Sequence, residues 1–156
     1  MDNRIEKLRS YVGSLRRGKE LSGDFCYEER DILRAANYAP IIALARNLDL
    51  ELLTIIALLH DVLVYLVGIP ENSDKFRSRM AKEILIELDI VSDEEMIVIC
   101  KALENYSKGY NTCDLYSIVI RDAEVLGRYL YNVSCPVCPD EQRYLNEILY
   151  LFTRRQ

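Results

Sequence analysis

Basic residues are in the minority in this chain: 20 lysines and arginines against 25 aspartates and glutamates leave a net charge of −5 and a pI of about 5.0. Without a basic surplus nothing draws the chain to phosphate backbones or anionic lipid, so neither nucleic acid nor a membrane is favoured as a partner. The opening MDNRIEKLRSYVGSLRR has no apolar core of a secretory signal. The five cysteines are an odd number with no framework spacing, which excludes a disulfide scaffold and fits a reducing cytoplasm. No stretch alternates apolar and polar residues long enough for a half-buried strand, and there is no internal repeat. Histidine occurs once, as His60.

What is present is an apolar spacing of three and four that recurs throughout, so the fold class is all-α. With 156 residues, half of them hydrophobic, the chain can bury one substantial core and is short for two, so 1–156 reads as a single domain. The pattern predicts a first helix over about 3–17, ended by a loop over 18–24. A long helix over about 27–47 follows, with Pro40 inside it favouring a kink. The breaker cluster 68–72 precedes a helix capped by Ser73 and reaching about Leu88. Ser92-x-x-Glu95 is a capping-box pattern ahead of a helix over about 96–106; the loop 108–113 ends it, Asp114 caps 115–131, and a last helix covers about 139–153.

The most apolar stretch is Leu52–Val67, LLTIIALLHDVLVYLV. It reads as a helix buried on every side, and Asp61 argues against a membrane span, since an aspartate at the bilayer centre costs roughly 2.5–3.5 kcal/mol on insertion scales. A buried imidazole beside a buried carboxylate needs partners. Two further carboxylates fall on apolar stripes. Asp122 lies among Leu115, Ile118, Val119, Leu126 and Tyr129, and Asp31 shares a face with Ala35, Tyr38 and Ile42. One buried aspartate is usually structural, but several inward carboxylates with an imidazole repel one another unless a cation or shared protons relieve them. The mixed set of His60, Asp61, Asp122 and Asp31 suits one divalent ion among Mn, Mg, Fe, Ni and Zn.

Four segments, LELLTIIALLHDV, FRSRMAKEILIEL, MIVICKALENYSK and IVIRDAEVLGRYL, occur in the order found in the HD-domain superfamily, which the chain resembles over about residues 29–131. Those proteins are helical metal-dependent phosphohydrolases with a histidine, a His-Asp pair and a distant aspartate, the last within a DAD-x-L pattern. The resemblance implies a bundle of about seven helices, with an N-terminal helix and loop over 1–24 and a C-terminal helix over 139–155 outside the shared part. It implies metal ligands at His60, Asp61 and Asp122, with Asp31 standing where the first histidine is expected. Ser73 and Tyr106 replace optional histidines, so a second ion is not implied. Asp61 would be the catalytic residue, orienting or deprotonating a water. Arg34, and more weakly Lys108, would meet the phosphate of a small phosphorylated substrate. The alternative is an inactive HD-like fold kept as a ligand-binding or protein-interaction module, its polar residues paired with one another and Tyr106 filling the space of a substrate.

Cys135-Pro-Val-Cys138-Pro lacks a second cysteine pair for zinc and a βαβ context for redox work, and reads as a stiff turn before the last helix. Cys26, Cys100 and Cys113 read as small apolar fillers.

Overall fold

Every residue from Leu52 to Leu63 is buried, as expected for a helix with no polar face. The computed structural model describes residues 3–20, 33–67, 73–131 and 137–154. Among these the elements are α1 (Arg4–Glu20), α2 (Arg34–Arg46), α3 (Leu50–Val67), α4 (Ser73–Leu88), α5 (Asp93–Asn105), a short 3-10 turn (Tyr106–Lys108), α6 (Leu115–Tyr131) and α7 (Pro139–Thr153). No strand occurs among the described residues, in keeping with the all-α expectation, and no helix among them is long and apolar enough to cross a membrane.

Helix α3 is the axis of the bundle. It contacts α1, α2, α4, α5 and α6, while α2 also lies along α6, α4 along α5, and α7 against α6 and α2. Leu53, Ile55, Ile56, Leu59 and Leu63 are fully enclosed; each such side chain contributes about 1.5–3 kcal/mol relative to exposure. Because α3 is enclosed on all sides, His60 and Asp61 inevitably sit in the interior.

Local signals place several boundaries. Ser92 Oγ accepts the Glu95 N–H and the Glu95 carboxylate accepts the Ser92 N–H, closing a capping box. That box sits directly at the helix end, so α5 begins at Asp93 and not near residue 96. Arg4 binds both oxygens of Glu95 and also Glu51, each at 2.9 Å, tying the start of α1 to the starts of α5 and α3. α1 continues to Glu20, past the loop expected from residue 18. α2 ends at Asn47, which takes the left-handed conformation (φ 54°) that asparagine tolerates. Pro40 stands within α2, as expected; the earlier part of the predicted long helix, 27–32, and the breaker cluster 68–72 lie outside the described residues. Pro139 takes the first position of α7, where its missing N–H costs nothing. Cys113 is exposed and so is no core filler, whereas Cys100 is half-buried. Cys26 and Cys135 lie outside the described residues, and Cys138 is exposed at the start of α7.

Candidate metal centre

The site begins with two adjacent residues near the middle of α3. His60 and Asp61 are buried, and His60 Nδ1 lies 3.2 Å from Asp61 Oδ1. Asp61 also reaches the open end of α2: Ala36 N–H donates to Oδ2 at 2.7 Å and Ala35 N–H to Oδ1 at 3.3 Å. Leu33, at the cap position of α2, offers no side-chain bond, so Asp61 from another helix satisfies those amides. Burial raises the Asp61 pKa; the His60 ring and the Ala36 N–H oppose the rise, and the charge of Glu124 adds to it.

The third member is Glu124 on α6. One ligand atom each of His60, Asp61 and Glu124 lies within 4.8 Å of the others, and this is the one such trio among the described residues. The structure does not bring Asp122 to this point. Asp122 is buried, but one oxygen accepts the Tyr110 hydroxyl at 2.7 Å and the other pairs with Arg46 at 2.6 Å. Two residues along a helix turn a side chain through about 200°, so Asp122 and Glu124 serve opposite sides of α6. The apolar stripe around Asp122 is the seam with α2 and the Tyr110 loop, not the wall of the site. Burial outweighs the Tyr110 and Arg46 bonds and raises the Asp122 pKa. A signal for Glu124 was in the sequence: in Asp122-Ala-Glu-Val-Leu, the glutamate stands where DAD-x-L has its second aspartate.

Tyr106, on the turn after α5, closes the site from the side. Its ring centre is 4.2 Å from that of His60, and its hydroxyl donates to Glu124 Oε2 at 2.8 Å. Burial first, and then the neighbouring Glu124 charge, push the Tyr106 phenol well above its ordinary range. The turn is fixed by Asp74, which accepts the Ser107 N–H at 3.0 Å and pairs with the enclosed Arg77, itself bonded to Ser73. Ser73 is thus occupied in holding the first turn of α4.

The other sequence candidates are placed as follows. Asp31 lies outside the described residues. Arg34, at the start of α2, lays its stem on Gly127, where an added Cβ would come within 2.4 Å of Arg34 Cγ; Gly127 is about one turn beyond Glu124. Lys108 is exposed, with Nζ bonded to Asn105 Oδ1 at 2.7 Å. Arg121, not anticipated from sequence, stands over the Tyr106 ring.

The donor set fits one divalent ion. An imidazole and two carboxylates are three suitable ligands, and His60 Nε2 is buried with no hydrogen-bond partner among the described residues. The all-α bundle thus brings a His-Asp pair and a distant carboxylate together at one point. Residues 31–129 match the HD domain, and the chain belongs to that family. Members generally bind divalent metals, and the hydrolases among them act on phosphorylated substrates. No curated protein and no solved structure matches the chain.

Proposed function

We propose that the chain hydrolyses a phosphoester or a nucleotide at the His60, Asp61 and Glu124 cluster. The observation that carries this reading is the convergence of those ligand atoms within 4.8 Å in the bundle interior, with one imidazole nitrogen that has no hydrogen-bond partner among the described residues. Evolution of a purely structural core does not require such a group, because burying polar atoms without partners is costly. A divalent ion held there supplies a Lewis acid and eases deprotonation of a water molecule. His60 on α3 and Glu124 on α6 would hold that ion. Asp61, whose Oδ1 lies 3.2 Å from the imidazole Nδ1, would orient the attacking water or take its proton.

A second reading, an HD-like ligand-binding or interaction module without turnover, is favoured by one observation. Tyr106 places its ring against His60 and its hydroxyl on Glu124, occupying space and a lone pair that substrate and ion would use. The experiment that separates the two is a screen of nucleotides and simple phosphoesters with Mn, Mg, Ni and Co. Asp61→Asn is the blank, because its one amide oxygen can still accept the shorter of the two α2 bonds, that from the Ala36 N–H. Turnover above that blank is expected; its absence with every metal assigns the chain to the module reading.

A further inference from the structure

We propose that Arg121 is the phosphate-binding residue of this site, an assignment that rests on the hydrolase reading. Arg121 precedes Glu124 by three residues on α6, so the two share a face about one turn apart. Its guanidinium carbon lies 4.3 Å from the centre of the Tyr106 ring, the same ring that touches His60 and bonds Glu124. One terminal nitrogen donates to the Tyr106 carbonyl at 2.9 Å. Nε is buried and has no hydrogen-bond partner among the described residues.

Two features set this arginine apart. In a chain with an acidic surplus, a half-buried arginine ordinarily finds a carboxylate, as Arg46 finds Asp122 and Arg4 finds Glu95. Arg121 forms no ion pair among the described residues, although Glu124 is on the same face; Glu124 Oε2 accepts the Tyr106 hydroxyl instead. A buried N–H left without an acceptor is retained at a cost, and an oxyanion is the acceptor that removes it. Charge balance points the same way. The carboxylates of Asp61 and Glu124 neutralise one divalent ion, so the Arg121 charge is the surplus that a phosphate meets. The planar guanidinium suits phosphate oxygens better than the exposed ammonium of Lys108 does.

The test uses the full chain and inorganic phosphate as probe, by titration calorimetry with and without Mn, and Mn binding measured separately by electron paramagnetic resonance. Arg121→Gln is expected to weaken phosphate binding by about tenfold or more while Mn binding is kept or tightened, since a positive charge has left the site. Arg128→Gln, an exposed arginine paired with Glu141, is expected to leave phosphate binding unchanged. If Arg121→Gln does not fold, Arg121→Lys replaces it, with an expected loss of several-fold from the missing fork. Equal phosphate affinity in the wild type and in the folded variant overturns the assignment and makes Arg121 only the pin of the Tyr106 turn; so does a wild type that binds no phosphate. Phosphate binding that depends on Arg121 in a protein without turnover keeps the assignment and removes the hydrolase.

Discussion

Asp61 Oδ2 accepts the Ala36 N–H at 2.7 Å, so the aspartate of the His-Asp pair also holds the start of a different helix. Truncation therefore has two consequences. Asp61→Ala is expected to lower stability by about 2 kcal/mol through the lost cap, and Asp61→Asn by less, while both abolish turnover. Urea denaturation of the two variants checks this; equal stability of Asp61→Ala and the wild type would show that α2 does not depend on the carboxylate.

Glu124 and Asp122 are two residues apart and are expected to fail differently. Glu124→Gln should reduce Mn affinity by at least about tenfold with little effect on melting temperature. Asp122→Ala should keep Mn affinity and lose about 2–4 kcal/mol, because Arg46 and the Tyr110 hydroxyl lose their acceptor. Parallel metal titration and thermal unfolding distinguish the pair, and a reversed pattern would return Asp122 to the metal site.

Gly127 lies under the Arg34 stem, and an alanine there sets two effects against each other. Helix propensity favours alanine by about 1 kcal/mol. Its Cβ, however, would approach Arg34 Cγ to 2.4 Å and Tyr38 Cε2 to 3.0 Å, and overpacking of this kind costs about 1–3 kcal/mol. The clash involves the inner carbons of the arginine and a ring, not the far end of a flexible side chain. A net loss of about 1 kcal/mol in urea unfolding is expected; a stabilised Gly127→Ala would mean that α2 and α6 can separate cheaply.

Tyr110 and Tyr106 have phenols raised in pKa chiefly by burial, with Asp122 and Glu124 beside them; Tyr11, bonded to Glu87, is raised as well. For such groups the folded state binds more protons than the unfolded chain above about pH 10. Their contribution is complete below the unfolded pKa and is lost as pH rises toward the folded one. Stability should therefore fall as pH climbs past about 10, with absorbance at the phenolate band showing a late, cooperative ionisation. Tyr110→Phe should flatten the pH slope; an unchanged slope would remove Tyr110 as a source.

Much of the helix order was legible because its signals are local. Ser92 with Glu95, Asp114 before α6 and Pro139 at the first position of α7 need only neighbours within a turn. The all-round burial of α3 followed from its composition alone. What sequence periodicity could not resolve was which of two inward sides of α6 faced the histidine, since Asp122 and Glu124 both adjoin buried residues. The choice depended on Arg46, Tyr110 and Tyr106, whose proximity is created by chain packing. The capping of α2 by Asp61 was hidden for the same reason, as was the placement of Arg121.

The enclosure of α3 has a consequence for exchange of its amides with solvent. A helix covered by five others cannot open by fraying, so the amides around His60 should exchange only when the whole bundle unfolds. The α3 wall of the centre is then as rigid as the fold itself. Entry and departure of a ligand must be accommodated by the other wall, where the Arg121 and Glu124 side chains are half-buried rather than enclosed.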